Sequence, residues 1–317
     1  MVSRDDVLAA RETIAGRLHR TPTFSSVTLG ELIGARAFLK AELFQKTGSF
    51  KPRGVLTKLA SLSADEKERG VVTWSAGNHA QAVAWAAASE GIDCLVVMAQ
   101  GANPRKVAAT RGYGAAVDLE SPDHVAANER LRRLVEETGR TYVPPFDDPS
   151  VIAGQGTVGL EITEDVPDVD LIVCPVGGGG LIAGLATATD CRIVAVEPEL
   201  SPAFSAGLAA GKSVQIELRR TIADGLAPPF AGELNLTIAA KRVDEVVLLT
   251  EEEIAAGMRF LYGRAKLACE PSGAAATAAL LAGKVPLDGA HTVVAVVSGG
   301  NADPKVASAI LAERDEN

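Results

Sequence analysis

The lysine at position 51 has the sequence surroundings of a reactive amine. It lies in the segment 46–54 (KTGSFKPRG), directly between Phe50 and Pro52. An amine that attacks a carbonyl group must be partly removed from water, because burial lowers its pKa, and a neighbouring aromatic ring can lie against a flat ligand. Most lysines are nevertheless solvated surface charges, and Phe50 suits a core equally well. The segment by itself leaves a Schiff-base lysine and an ordinary surface lysine open.

Four consecutive glycines, Gly177, Gly178, Gly179 and Gly180, form a second candidate site. They follow an apolar run that predicts a strand and precede a run that predicts a helix. Backbone NH groups in such a turn, together with the helix dipole, can bind a phosphate. Because four glycines cost backbone entropy, we interpret them as an anion-binding loop rather than a turn without a ligand.

The same glycine loop also fits a permissive dinucleotide-binding pattern. Gly178, Gly180 and Ala183 have the required spacing, and Glu197 closes the next apolar run nineteen residues after Gly178. A nicotinamide-dependent oxidoreductase is therefore an alternative. Lys51 argues against it, because hydride transfer needs no such amine.

The elements that would position these residues alternate between strands and helices. After Gly70, the pattern predicts strands at 71–74, 92–98, 116–119 and 142–144, separated by helices at 79–89, 104–110 and 122–138. A second series predicts strands at 170–176, 193–197 and 292–297 and a helix at 181–189. Such βαβ units imply an α/β fold with parallel sheets covered by helices.

The segment 144–150, with three prolines and two aspartates, separates the two series. Its composition is typical of a crossing between domains. We predict a large domain formed by residues 1–62 and 148–317 and a small inserted domain formed by residues 63–147, with the site in the cleft between them.

Composition excludes several classes of partner. The chain has 317 residues, of which 47% are hydrophobic, and its net charge of −9 is spread along the sequence. No cluster of basic and aromatic residues points to nucleic acid. The longest uncharged run, 171–189, contains Pro175 and the four glycines, so it predicts a strand, a loop and a helix and no membrane span.

The N-terminal segment and the cysteines indicate a cytoplasmic protein. Residues 1–20 mix charged and apolar residues, which predicts an amphipathic segment and no signal peptide. The four cysteines stand singly among apolar neighbours, without the spacing of a metal site or a disulfide framework. We expect reduced core cysteines and no metal ligands.

Five sequence motifs in a fixed order resemble one known family. They are 48–54 (GSFKPRG), 75–81 (SAGNHAQ), 175–181 (PVGGGGL), 270–273 (EPSG) and 298–301 (SGGN). The segments 19–22 (HRTP) and 147–156 (DDPSVIAGQG) match as well. The chain thus resembles the threonine/serine dehydratase and serine racemase family of pyridoxal phosphate enzymes, which have the two-domain tryptophan synthase β-like fold (fold type II).

The resemblance implies a role for each cofactor-binding residue. Lys51 corresponds to the lysine that forms a Schiff base with the cofactor, and Phe50 to the residue against its ring. Asn78 corresponds to the ligand of the ring hydroxyl oxygen, and Ser298 to the partner of the pyridine nitrogen, although a helix cap is the alternative for Ser298. The phosphate would be held by Gly177, Gly178, Gly179, Gly180 and the NH group of Leu181.

A loop between a predicted strand and helix would bind the substrate carboxylate through its NH groups. It consists of Ser75, Ala76, Gly77, Asn78 and His79. An ordinary capped helix start is the alternative, and His79 is as consistent with packing as with substrate contact.

Glu270 lies in a matching motif, but its role is open. A carboxylate that caps the helix beginning at Pro271 is the alternative.

Departures from the family pattern qualify the resemblance. Racemases of the family have a serine where this chain has Ala76, and cation-binding relatives have an acidic ligand where it has Ala203. The segment 99–101 (AQG) differs from the proline common in relatives. The sixteen residues after Asn301 leave no room for the regulatory domain of biosynthetic threonine deaminases.

The resemblance therefore implies a pyridoxal phosphate-dependent ammonia-lyase. It would convert L-threonine, L-serine or a related β-hydroxy amino acid to a 2-oxo acid and ammonia, as a homodimer or homotetramer. A serine or hydroxyaspartate racemase and a catalytically silent amino-acid-binding protein remain alternatives; Ala76 argues against the first, and the complete set of cofactor residues against the second.

Overall fold

The computed structural model describes residues 1–312 and, for His124, the backbone only. Residues 313–317, the end of the predicted large domain, lie outside the described part. The ten strands of the described chain are β1 (Thr23–Ser25), β2 (Arg36–Ala41), β3 (Val71–Trp74), β4 (Cys94–Ala99), β5 (Ala116–Ser121), β6 (Thr141–Tyr142), β7 (Leu171–Pro175), β8 (Arg192–Pro198), β9 (Glu245–Leu249) and β10 (Thr292–Val297).

The α-helices of the described chain are α1 (Arg4–Ile14), α2 (Val27–Ile33), α3 (Lys51–Ala60), α4 (Ala64–Arg69), α5 (Asn78–Ser89), α6 (Pro104–Gly112), α7 (His124–Thr138), α8 (Pro149–Asp165), α9 (Gly180–Ala188), α10 (Ala203–Ala210), α11 (Glu233–Ala239), α12 (Glu251–Phe260), α13 (Pro271–Leu281) and α14 (Pro304–Ala312). Their ends follow local chemistry. Ser3, Ser63 and Thr250 form capping boxes at α1, α4 and α12, and Gly139 ends α7 in the left-handed conformation.

The strands form two separate sheets. The larger has the order β1-β2-β10-β7-β8-β9, and the smaller has the order β5-β4-β3-β6. All pairs are parallel except β1 with β2. The central strands β7 and β10 are buried along their whole length, as continuous apolar sequences in helix-covered parallel sheets should be.

The sequence predicted most strands of both series but missed β2 and β9, and two further differences concern β1 and β6. The antiparallel edge strand β1 has only three residues and was not predicted. Strand β6 is Thr141–Tyr142 and not 142–144, because Pro144 and Pro145 lack the NH groups that extend a ladder. The smaller sheet uses only strands between residues 71 and 142, but the exact domain limits at 62/63 and 147/148 stay a prediction.

A buried ion network holds α3 against its neighbours. Arg53 of α3 is 1% exposed and donates to Glu42 at 2.8 Å through two nitrogens and to Glu161 of α8 at 2.7 and 2.9 Å. The fully buried Lys40 of β2 also donates to Glu161, at 2.7 Å. These two cations balance the two anions. Because Arg53 lies in the first turn of α3, the network fixes the helix start that carries Lys51.

Candidate active site

A cavity of about 850 Å³ lies at the carboxyl ends of β3, β7 and β10. This edge of parallel strands is where α/β proteins place ligands. The cavity brings together all of the predicted site residues, which are Phe50, Lys51, Ser75, Ala76, Gly77, Asn78, His79, Gly177, Gly178, Gly179, Gly180, Leu181, Glu270 and Ser298.

Lys51 begins α3 and points its amine into the cavity. Its Nζ donates to the carbonyl oxygen of Pro145 at 2.8 Å and lies 5.2 Å from the centroid of the Phe50 ring. Burial lowers the pKa of Lys51 to about 8. A larger fraction of this amine is therefore neutral near pH 7 than of a solvated lysine, which suits it to attack a carbonyl and to accept a proton.

The glycine loop connects β7 to α9 and offers an anion site. Gly179 has φ +95° and caps α9, whose first NH groups have no partner within the helix. A Cβ atom on Gly178 would lie 2.2 Å from the ring of Phe146 and one on Gly179 would lie 2.8 Å from Asn235, so side chains are excluded there. The helix dipole adds positive potential at the same point.

The Ser75–His79 loop likewise ends in a helix start, that of α5. Gly77 caps α5, and the hydroxyl of Ser75 accepts from the NH group of Gly77 at 3.2 Å. Ala76 lies between them, half-buried and on the cavity wall. The geometry places a second set of helix-start NH groups at the cavity, separate from the glycine loop.

Asn78 connects the cavity to Glu270 and Asn301. Its Nδ2 donates to Glu270 Oε1 at 2.6 Å, and its Oδ1 accepts from Asn301 at 2.8 Å. Glu270 therefore faces Asn78, and its carboxylate makes no capping bond to α13 within the described chain. Burial raises the pKa of Glu270 to about 7.

His79 and Ser298 occupy the remaining walls. His79 Nε2 lies 3.0 Å from the carbonyl oxygen of Val143, and because a carbonyl only accepts, that nitrogen carries the hydrogen. Burial, aided by the charge of Lys51, lowers the pKa of His79 to about 3, so the ring is neutral. Ser298 is buried at the end of β10, where its carbonyl accepts from the NH group of Phe50 at 3.2 Å.

Sequence reasoning missed several residues that line the cavity or bond to its lining. Phe146 and the carbonyl of Pro145 belong to the proline-rich segment that was interpreted only as a domain crossing. Asn301 lies in a matching motif, but no role was predicted for it. The ion pair of Lys106 with Asp224 also lines the cavity and joins segments 118 residues apart, a contact without a sequence signal.

Glu197 does not face the cavity as a dinucleotide ligand. Its carboxylate accepts from the NH groups of Phe204 at 3.0 Å and Ser205 at 2.8 Å, at the start of α10. Among the described side chains, no group of three histidine, cysteine or acidic residues is placed to hold a metal ion. Within residues 1–312, no helix is both long and apolar enough to cross a membrane.

The two sheets form an α/β fold whose cavity combines a desolvated lysine with two helix starts, an arrangement suited to a phosphorylated carbonyl compound. Comparison with known sequences identifies the class further. The sequence family described as pyridoxal-phosphate dependent enzyme matches residues 14–299, and the chain belongs to this family.

Individual relatives agree. The L-threonine ammonia-lyase of Thermotoga maritima is 43% identical over 316 residues, which cover 98% of this chain and 78% of the relative. The structure of maize serine racemase has a TM-score of 0.92 and 36% identity, and the match covers 96% of this chain and 95% of the racemase chain. The processed form of threonine deaminase isoform 2 from Solanum lycopersicum has a TM-score of 0.89 and 33% identity, with coverages of 96% and 90%.

These similarities confirm the predicted family, fold class and cofactor. The chain is a pyridoxal phosphate-dependent enzyme, and the nicotinamide-dependent alternative is set aside.

Proposed function

We propose that the chain is an ammonia-lyase that converts L-threonine, L-serine or a related β-hydroxy amino acid to a 2-oxo acid and ammonia. The observation that carries this proposal is the 43% identity to an L-threonine ammonia-lyase along 98% of this chain. The cavity supports it, because one reactive amine and two helix-start anion sites meet there.

The two anion sites suit different ligands. The NH groups of Gly177, Gly178, Gly179, Gly180 and Leu181 would hold the cofactor phosphate, and those of the Ser75–His79 loop would hold the substrate carboxylate. A substrate tethered at its carboxylate and at its amine has its Cα in a fixed place. Lys51 shares the cavity with both sites.

The remaining residues would hold the flat ring. Phe50 lies beside Lys51 and would flank the ring, and Asn78 would contact the ring hydroxyl oxygen with the Nδ2 hydrogen that Glu270 leaves free. Ser298 would present a neutral hydroxyl to the pyridine nitrogen and would not hold it protonated. When bound, the cofactor withdraws electrons from Cα and so weakens the Cα–H bond.

The protein's own acid-base chemistry centres on Lys51. With the substrate held at its carboxylate and its amine, the unbonded Lys51 amine would accept the Cα proton. Because its pKa is lowered to about 8, the accepting, neutral form of Lys51 predominates above about pH 8. The β-hydroxyl would then leave as water, taking up the proton that Lys51 has accepted, so elimination requires no second acid-base group on the opposite side of Cα.

Borohydride labelling and product analysis test this function. Reduction of the protein with its bound cofactor should label Lys51, and L-threonine should give the 2-oxo acid and ammonia. Lys51→Ala should abolish the reaction, while Lys46→Ala, a lysine of the same segment, should not. Reduction that leaves Lys51 unlabelled, or a panel of β-hydroxy amino acids that releases no oxo acid, contradicts the proposal.

A racemase is the second candidate, because the fold is so similar to that of maize serine racemase. Ala76 opposes it, since a methyl group cannot transfer a proton. Chiral chromatography of L-serine reactions separates the two: oxo acid with little D-serine supports the lyase.

We also propose a homodimer or homotetramer in the cytoplasm. Phe24, Val27 and Phe44 are large apolar residues that are 43%, 72% and 48% exposed, and the rings of Phe24 and Phe44 lie 6.3 Å apart, so they offer an apolar surface to a partner subunit. Free cysteines at all four cysteine positions suit a reducing compartment. Light scattering on the purified protein would contradict the assembly if it gave the monomer mass of 32.8 kDa.

A further inference from the structure

The connector between β6 and α8 meets both halves of the site. We define the connector as residues 143–146 (VPPF). Its Pro145 carbonyl accepts from Lys51, and its Phe146 ring fills the space next to Gly178 of the glycine loop. The connector thus contacts the amine and the phosphate site at positions one residue apart.

The first residue of the connector is anchored by two side chains. The carbonyl of Val143 accepts from Thr73 Oγ1 at 2.8 Å and from His79 Nε2 at 3.0 Å. The NH group of Val143 donates to the carbonyl of Val72 at 3.0 Å. Val143, Thr73 and His79 are all buried. Both polar groups of the Val143 backbone are therefore fixed to the smaller sheet and to α5.

Two prolines make the backbone rigid between the anchored Val143 and the carbonyl that contacts Lys51. The rings of Pro144 and Pro145 fix φ at both residues, and a following proline also restricts the backbone of Val143 and Pro144. Few rotations remain between the Val143 carbonyl and the Pro145 carbonyl. A displacement of the Val143 carbonyl therefore moves the Pro145 carbonyl, whose oxygen lies 2.8 Å from Lys51 Nζ.

The chemistry of His79 suits a fixed donor. Its ring is neutral and carries a single NH hydrogen, on Nε2, which points to the carbonyl oxygen of Val143. Its Nδ1 is buried without a partner among the described residues. Because the His79 ring is neutral, it adds no positive charge next to Lys51 and does not repel the ammonium form of that lysine.

We propose that the Pro145 carbonyl is the acceptor that holds the Lys51 amine whenever it is not bound to the cofactor, and that His79 and Thr73 are positioning residues that fix this acceptor through Val143. The inference rests on the proposed role of Lys51 and deepens it. It gives His79 a function other than substrate contact.

The pKa of Lys51 in the cofactor-free full chain is the direct readout. A carbonyl at hydrogen-bond distance favours the charged amine, so a displaced carbonyl lowers the pKa of Lys51 further. His79→Phe removes one donor, and Thr73→Val removes the other without a change of shape. We expect the pKa to fall by about one pH unit in His79→Phe and by about half a unit in Thr73→Val. The pH dependence of acetic anhydride labelling at Lys51, followed by peptide mapping, measures it.

The holoenzyme gives a second readout. Since the acceptor acts on the released amine, we expect kcat for L-threonine to fall about tenfold in His79→Phe and about threefold in Thr73→Val, with KM changed less than about twofold. Thr73→Ser should restore the wild-type pKa and kcat. Thr189→Val is the matched control, because its buried hydroxyl also donates to a backbone carbonyl, that of Leu185 at 3.0 Å.

Two results would overturn the proposal. A rise in KM with an unchanged kcat would assign His79 to substrate contact and overturn the proposal, as would an unchanged pKa of Lys51 in Thr73→Val. If His79→Phe does not fold, Thr73→Val and Thr73→Ser still provide the comparison. Failure of the proposed function is separate, because it is seen as unlabelled Lys51 in the unmodified protein after borohydride reduction.

Discussion

Arg53→Met should destabilise the protein strongly, because it leaves buried carboxylates without their cation. Arg53 makes four hydrogen bonds to Glu42 and Glu161, and its side chain is 1% exposed. Methionine has a similar length and no charge. After the substitution, Lys40 is the one cation left in the network, against the two carboxylates of Glu42 and Glu161. Breaking a buried ion pair from one side costs about 3–5 kcal/mol.

The chain length allows this free-energy cost to be expressed as a shift in the midpoint of thermal unfolding. An unfolding entropy of roughly 2.1 cal/mol/K per residue gives about 0.7 kcal/mol/K for 317 residues. The midpoint of thermal unfolding, followed by circular dichroism on the cofactor-free protein, should therefore fall by about 5–8 °C. Arg36→Met is the control, because Arg36 and its partner Asp168 are both 60% exposed; an exposed pair contributes about 0–1 kcal/mol, or less than about 2 °C.

The pH dependence provides an independent check. Burial alone would raise the pKa of Glu161, but the charges of Arg53 and Lys40 outweigh it and lower the pKa below its usual value of 4.5. A carboxyl group with a lowered pKa stabilises the fold above the pKa of the unfolded chain, and this contribution is lost as the pH falls. The difference between the wild type and Arg53→Met should thus narrow below about pH 4.

A double variant completes the test. Arg53→Met combined with Glu42→Gln leaves Lys40 with Glu161, so charge balance returns and the loss should be smaller than the sum of the single losses. Additive losses, or a midpoint for Arg53→Met as high as that of Arg36→Met, would refute the view that this network holds α3.

Three further perturbations address the site itself. Gly178→Ala should remove the near-visible absorbance of bound cofactor while helix content is kept, since its Cβ would lie 2.2 Å from Phe146; a wild-type spectrum would contradict this. Covalent attachment of the cofactor to Lys51 should accelerate with pH and level off above about 8, the pKa of its amine; a pH-independent rate would be inconsistent with a buried amine. Glu270→Gln should gain unfolding temperature relative to the wild type as the pH rises, because the pKa of Glu270 is raised from 4.5 to about 7 and its stabilising contribution is lost across that interval; a constant difference between about pH 5 and about pH 8 would argue against this titration.

Sequence patterns could predict those parts of the site in which residue type dictates local structure. The glycine loop is an example, because four glycines after an apolar strand permit φ +95° at Gly179 and a close approach of Phe146. Lys51 was identifiable from its neighbours and from the motif around it. Long buried strands such as β7 and β10 were predictable because both of their faces are apolar.

Contacts between distant segments could not be predicted in the same way. Asn78 and Glu270 are 192 positions apart, and nothing in either motif specifies that the amide donates to the carboxylate. The acceptor for Lys51 is a backbone carbonyl, which every residue has, so Pro145 has no side-chain signal. The strand β1 is too short for its pattern to be distinguished from a loop.

Ala76→Ser should convert part of the elimination into racemisation. Racemisation removes a proton on one face of Cα and returns it on the other, so it needs two acid-base groups, of which Lys51 supplies one. Racemases of the family have a serine where this chain has Ala76. The adjacent Ser75 is the competing source of a hydroxyl; its oxygen accepts from the NH group of Gly77, which holds it at the loop backbone. We expect chiral chromatography to show little D-serine from the wild type, a higher ratio of D-serine to oxo acid from Ala76→Ser, and no change in that ratio from Ser75→Ala. Substantial D-serine from the wild type that disappears in Ser75→Ala would instead identify Ser75 as the second acid and show that Ala76 does not determine the outcome.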